Sequence, residues 1–544
     1  MSLNSSPIEP VPEETARVAR AIFPKGNRYL LLRDTLGTLF TDALFADLFP
    51  TRGQPALAPW RLALVTLVQY IEGLPDRQAA EAVRTRIDLK YALSLSLSDP
   101  GFDFSVLSEF RARLVSKSAE ERLLEVLLEA CKSNGWLAGG GRQRTDSTHV
   151  LARVRRLNRI DLVGETLRAA LNALAVVAPD WLQQHSLPEW WERYALPFDG
   201  TRLAKHEAQM EALALTVGQD GLTLIAALEA EPHVVWLREI PAVQTLQQVW
   251  AQHYQVQEGT LLWRPRDDLP PVRDLISSPY DVEARYALKR STEWVGYKVH
   301  LTETCDADQP HLITQVTTTP APSADSAVTT PIQQALERKG LRPWQQIVDT
   351  GYVDAGELLR SLARGVDLVG PVPPNTATTP AAFALDQFTI RWDEQQAICP
   401  AGKASGSWRP DQDRHGNPIV QVTFRTSDCR ACPHHGACTR GAHRTLTVRP
   451  QAEWHALQVA RKRQTTPEFK QQYAIRAGIE GTLSQGTRAF GLRRCRYRGT
   501  PKAHLQHVVT ACAINLVRIT AWVQGDLPVS SRPAPFARLQ QQAA

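Results

Sequence analysis

Three acidic residues stand where a carboxylate needs a reason: Asp146 in RQRTDSTHV, Asp349 in QQIVDTGYVDA and Glu480 in YAIRAGIEGTLSQ. Asp146 interrupts a short strand-like run. Asp349 ends the Ile347-Val348 run just before Thr350-Gly351, as a buried strand breaks at its tip. Glu480 follows Tyr473 and Arg476 at offsets of seven and four, which predicts one shared helix face. Three carboxylates from separate segments can converge and hold two Mg²⁺ (or Mn²⁺) ions through oxygen. Two such ions, about 4 Å apart, activate a water or hydroxyl and stabilise the leaving oxygen of a phosphodiester. His149, Asp354 and Glu357 are nearby alternatives, although Asp354 and Glu357 read as helix-start residues that favour the dipole.

A second constellation is basic. Arg476 and Arg488 can each fork onto a phosphate, and Tyr473 can stack on a base or bond a phosphate beside them. Arg493, Arg494, Arg496 and Arg498 follow in FGLRRCRYR, while Arg155 and Arg156 come soon after Asp146. The chain of 544 residues carries a net charge of +6, but Arg440–Thr520 alone has 15 Lys and Arg against three Glu. That segment is therefore +12 and the remainder about −6. A polyanion such as DNA would touch the C-terminal part. The plainer reading is a set of solvated helix faces, with the Tyr packed and the Arg paired to a carboxylate.

Of eight cysteines, four cluster: Cys399, Cys429, Cys432 and Cys438. Cys429-x2-Cys432 has the spacing of a knuckle turn, and Cys399 lies further upstream. A tetrahedral structural zinc site and reduced buried thiols are both open, with His434 and His435 as substitute ligands.

At these residues the chain resembles bacterial insertion-sequence DDE transposases. Tyr473-x2-Arg476-x3-Glu480 is similar to their Tyr-Arg-Glu-Lys box, and TDSTHV, WVGYKVHLTE and IVDTGY are similar to segments of their ribonuclease-H-like core. The Lys of that box would fall at Thr487, and Arg488 is the cation next to it. The resemblance covers roughly residues 30–522. It implies an α/β fold: a ribonuclease-H-like mixed sheet with a helical N-terminal domain, a helical insertion and a β-rich, Cys-containing insertion. It also implies catalysis by Asp146, Asp349 and Glu480 with Mg²⁺, and a grip on the element's end by the Tyr473–Arg476–Arg488 box. The partners it implies are double-stranded DNA, as terminal inverted repeats and as target, and a second copy of the chain in a synaptic homodimer. An inactive, repurposed DNA-binding transposase and a two-metal nuclease without strand transfer are the alternatives.

These residues need elements to position them. Residues 1–14 are Pro-, Glu- and Ser-rich, which predicts disorder, and 15–135 read as a helical, DNA-binding domain. There, Pro59–Glu72 and Arg77–Arg86, broken at Gly73-Leu74-Pro75, form a helix–turn–helix with Asp76 as cap, or a plain helical hairpin. The catalytic domain spans 142–525. It is interrupted by a helical insertion at 155–285, whose six tryptophans read as its core, and by a β-rich insertion at 375–450. An amphipathic helix closes it at 502–522, and 526–544 is a loose tail. Hydrophobic content of 43% and charged content of 22% are ordinary for a globular chain. No run of 18 apolar residues and no secretory leader is read, which predicts no membrane partner and a cytoplasmic, nucleoid-associated protein.

Overall fold

The strand Thr292–Thr304, thirteen residues long, organises the centre of the molecule. The computed structural model describes residues 2–3, 7–204, 206–373, 383–413 and 416–526. Six strands form the main sheet: β1 (Arg142–Leu151), β2 (Arg285–Lys289), β3 (Thr292–Thr304), β4 (Ile313–Pro320), β5 (Gln345–Val348) and β6 (Asp367–Val369). β3 runs antiparallel to β1 on one edge, and to β2 and then β4 on the other. β1 continues the sheet through parallel pairing with β5, and β5 with β6. The sheet is thus mixed, three antiparallel strands followed by two parallel ones, with β2 added at the edge. This agrees with the mixed sheet expected from TDSTHV, WVGYKVHLTE and IVDTGY, and is consistent with a ribonuclease-H-like core. β3 changes partner at Gly296, whose φ is +153° and whose missing Cβ would lie 2.1 Å from the Val150 carbonyl oxygen. Only glycine lets β1 approach there.

Helices fill 13–133, and among them α1 (Pro59–Glu72) is almost wholly buried. The first of these helices already begins at Glu13, and Ser2 is buried, its hydroxyl bonded to the Gly53 carbonyl at 2.8 Å. The expected disorder over 1–14 therefore does not hold for the described part of that stretch; Met1 and residues 4–6 lie outside it. Asp76 does not cap its helix. Its carboxylate instead accepts from Arg111 Nη2 at 2.6 Å and Gln69 Nε2 at 2.8 Å, because a buried guanidinium on a neighbouring helix needs a counter-charge.

Two helices matter most for the site: α2 (Ala477–Phe490) and α3 (Thr500–Val523). α3 is buried on nearly every side from Ala503 to Thr520, which a one-sided amphipathic helix would not be. It lies between the sheet and the N-terminal helices, packing on β4 and on α1, so all three share one apolar core. Asn515 pins it to the sheet edge, accepting from Ile313 N and donating to Ile313 O, each at 2.8 Å.

The insertion between β1 and β2 has its own core, built on Val163, Leu167, Leu224, Leu246 and Trp250. Its tryptophans divide. Trp190 and Trp250 are buried and Trp181 and Trp263 half-buried, but Trp191 and Trp236 are 61% and 53% exposed. Trp190 and Trp191 are consecutive on one helix, so only one of them can face inward. The helix covering Ala208–Ala230 is long and apolar enough to cross a membrane by length and composition. It places Asp220 inside the insertion, bonded to Arg193 and Tyr194. The second insertion carries a three-stranded sheet (Ser405–Gln412, Pro418–Phe424, Thr445–Val448) with a small core of Phe388, Val422, Phe424 and Leu446. The proposed loose tail from 527 onward lies outside the described residues.

Candidate active site

β1 and β5 place two of the acids. Their parallel register ends at Thr145↔Val348, so Asp146 and Asp349 each come one residue later, on neighbouring strands. Asp349 leaves the strand and caps the turn Thr350–Tyr352, accepting from Thr350 N at 2.6 Å. Glu480 comes from the first turn of α2, its side chain 63% exposed. Arg476 joins the set: Nη1 donates to Asp146 Oδ2 at 2.9 Å and Nη2 to Glu480 Oε1 at 2.7 Å. Burial pushes the Asp146 carboxyl up, and the Asp349 charge adds to that push, against the Ser147 N–H and Arg476. Asp349 also acts on Arg476, raising it.

Two carboxylates thus share one guanidinium, and the charge of a third acts on it. Among the described residues no group of three or more His, Cys, Asp or Glu side chains is disposed to hold a metal ion. Carboxylate oxygens are nevertheless the donors a hard divalent cation takes, and Asp146 is held within β1 while Asp349 stands just past the end of β5.

The helix face expected for Tyr473, Arg476 and Glu480 is not continuous. One helix ends at Ala474, α2 starts at Ala477, and tight turns link them, with Arg476 N bonded to Tyr473 O at 2.9 Å and Ile479 N to Arg476 O at 3.0 Å. The cause is Arg144, one strand repeat before Asp146. Its Nη1 takes the Ile475 carbonyl at 2.8 Å, and its guanidinium fills the space where a Cβ on Gly478 would lie, 1.9 Å away. Within the first of these helices Tyr473 stacks on Phe469, four residues earlier, ring centroids 5.8 Å apart and nearly parallel, with Arg476 5.7 Å from the Tyr473 ring. Arg476 points at the carboxylates.

The other basic residues divide as well. Arg155 bonds the Phe198 carbonyl and Asp161, and Arg156 pairs with Glu293. Arg493 donates to the Thr148 hydroxyl at 2.8 Å. Arg496 lies over the Tyr70 ring and Arg498 over Tyr280. Arg488 and Arg494 are exposed, and among the described residues their side chains have no hydrogen bond or ion pair. His149 faces Trp294, Asp354 caps the helix Ala355–Ala363, and buried Glu357 bonds Thr330 and Arg360. Those three alternatives are thus occupied in packing and capping.

Sequence reasoning missed the buried network that carries the site. Glu303 on β3 is fully buried and faces Arg144 directly in the antiparallel register. It bonds Arg144 Nε at 2.7 Å, Arg518 Nη1 of α3 at 2.8 Å and the Thr482 hydroxyl of α2 at 2.6 Å. One carboxylate therefore ties both helices to the sheet. An acid inside the apolar alternation HLTET was the available signal, but only the strand register names its partner.

A second missed group is His300, fully buried, with Nδ1 2.7 Å from the Tyr352 hydroxyl and Nε2 3.1 Å from the Thr319 hydroxyl. It anchors the turn that follows Asp349. Burial pushes its ring down to about 4, with Lys298 and Lys289 adding to the depression and Asp325 opposing it. The folded chain keeps the ring neutral, while the unfolded chain takes up the proton near pH 6.5. Its stabilisation is whole above that pH and is lost as pH falls toward 4, by about 2 kcal/mol at pH 5. Urea midpoints at pH 7.5 and 5.0 should separate the parent from His300→Gln by that amount. Equal losses in both would remove His300 from this role.

Fold and site together define an α/β protein with acids on two neighbouring segments of a mixed sheet and on the helix beside it. Two family comparisons say which kind. Residues 398–520 match the family described as a transposase DDE domain, and residues 17–113 match the family described as a transposase domain, DUF772. Two separate segments of the chain thus match transposase-domain families, the C-terminal one a DDE domain. The first match contains Glu480 and the cysteine cluster, whereas Asp146 and Asp349 lie outside both. No curated protein matches the chain.

Proposed function

We propose that the chain cuts the ends of its own mobile element and joins them to new DNA, with Asp146, Asp349 and Glu480 as the catalytic carboxylates. The observation that carries this reading is the meeting of Asp146 and Glu480 on Arg476, with Asp349 one strand away, in a chain of transposase family. The carboxylates would hold two Mg²⁺ or Mn²⁺ ions, which supply charge neutralisation at the scissile phosphate and a more acidic water. Asp146 would do so from within β1 and Asp349 from just past the end of β5, where the parallel register fixes their spacing; Glu480 would do so from a helix pinned by Glu303 and Arg144. Once metal charge neutralises the carboxylates, Arg476 is released to fork onto the phosphate next to the cut. No covalent protein intermediate is needed, so positioning and charge do the work.

Exposed Arg488 and Arg494 are the first candidates for backbone contacts to terminal inverted repeats, with Arg493, Arg496 and Arg498 beside them; Tyr473 would stack at the end. Arg155 and Arg156 are held by their own acids and contribute after those pairs exchange. Two ends must be held at once, which calls for a homodimer in a bacterial, nucleoid-associated setting. Replacing Arg488 with Ala should weaken end binding at all sequences alike and reduce the salt slope by about one unit. An unchanged slope would place Arg488 off the DNA.

The test of the reaction is a strand-transfer assay. The chain, Mg²⁺ and a pre-nicked end carrying the repeat should give joined products. Hydrolysis without joining would make the protein a nuclease, and binding without either would make it a repurposed DNA-binding protein.

A further inference from the structure

The four clustered cysteines play no part in the reaction above, yet they line one cavity of about 30 Å³, with His435 and Arg444 also in its wall. That volume suits a single ion rather than an organic ligand. The thiols arrive from three places. Cys399 follows the strand Gln396–Ile398, Cys429 and Cys432 flank the end of the short helix Thr426–Arg430, and Cys438 ends the turn of helix His435–Cys438. None is in a disulfide.

The surroundings are built for negative sulfur. The Lys403 backbone N–H donates to Cys399 Sγ at 3.3 Å, in a turn closed by Gly402 N to Cys399 O at 2.8 Å. His435 Nε2 and Arg444 Nε are buried with no hydrogen-bond partner. A buried unpaired donor costs about 1–3 kcal/mol, so two beside one cavity need an explanation. Neutral thiols are weak acceptors, whereas thiolates accept strongly. Four thiolates could not persist there without a cation.

We propose that Cys399, Cys429, Cys432 and Cys438 bind one soft divalent cation, zinc by preference, as a tetrahedral thiolate site. Binding replaces four S–H bonds with four metal–sulfur bonds and releases four protons to water. The resulting centre carries a formal charge of −2, which Arg444 offsets in part, and His435 and Arg444 gain sulfur acceptors. As placed, the thiols do not yet stand in metal-holding geometry, so the two knuckle turns close inward to reach Zn–S distances of about 2.3 Å. The site fastens the loops of the three-stranded insertion, whose own apolar core is small. It stands independently of the strand-transfer reading.

The experiment uses the full chain, purified without chelators from zinc-containing medium. Elemental analysis should give one zinc per chain. Cys429→Ser and Cys432→Ser should each reduce this to below roughly a tenth of an equivalent, while His435→Ala keeps the metal and weakens it roughly 10–100-fold. Because the serine variants risk misfolding, the parent chain is also stripped and reloaded with cobalt, where tetrahedral thiolate ligation gives its characteristic visible absorption. Metal-free parent protein that takes up no cobalt would overturn the proposal. So would a Cys429–Cys432 disulfide found by mass spectrometry, or iron with inorganic sulfide in place of zinc.

Discussion

Asp349→Ala should abolish Mg²⁺-dependent cleavage of the element's end and leave end binding intact. Asp349 is spent on one local hydrogen bond, to Thr350 N, so the fold loses little when it goes. Capping bonds of this kind are worth about 1 kcal/mol. The reaction loses far more. A carboxylate that positions a metal supports several kcal/mol of charge stabilisation, and each ~1.4 kcal/mol is tenfold in rate, so the fall should be on the order of a thousandfold or greater. A labelled end incubated with Mg²⁺ reports cleavage, and a gel shift on the same DNA reports binding. Cleavage within tenfold of the parent would send the search for the second acid elsewhere.

Glu303→Ala should be the most destabilising single change near the site. Glu303 has 0% side-chain exposure and faces two guanidinium groups, Arg144 at 7% and Arg518 at 19%. Removing it strands those charges in the interior and frees Thr482, so the cost is about 3–5 kcal/mol. The loss should be local as well as global: α2 is tied to the sheet through Thr482 and, by way of Arg144, through Ile475. Hydrogen exchange should therefore show amides of 477–490 opening well before those of the insertion core around Trp250. Glu303→Gln keeps the shape and one acceptor, and should recover part of the loss. Unaltered exchange in 477–490 would show that α2 is held by its apolar face alone.

Among the features near the site, the strands were the most legible in the sequence. TDSTHV and WVGYKVHLTE are rich in β-branched and aromatic residues, as strands are, and the break after Ile347-Val348 falls where β5 ends. The capping role of Asp354 was legible for the same reason, because a cap acts within a few residues. The joint at Ile475-Arg476 was not, since residue spacing alone fits a continuous helix there. What breaks it is Arg144, more than three hundred positions away in the chain, working against a glycine that has no Cβ to exclude it.

The tryptophans and arginines divide along the same line. Composition marked the chain's basic residues, but it could not say that Arg155 and Arg156 are already paired while the side chains of Arg488 and Arg494 have no hydrogen bond or ion pair among the described residues. Nor could it tell Trp190 from Trp191. By itself, the sequence determined the local elements, the acids that end or interrupt them, and the cysteine spacing, because these depend on neighbours within a turn or two. Only the tertiary structure decided the strand register that sets Glu303 against Arg144, the all-round burial of α3 and the aim of Arg476. Each of these is a pairing between distant segments, and its energy exists only once they meet.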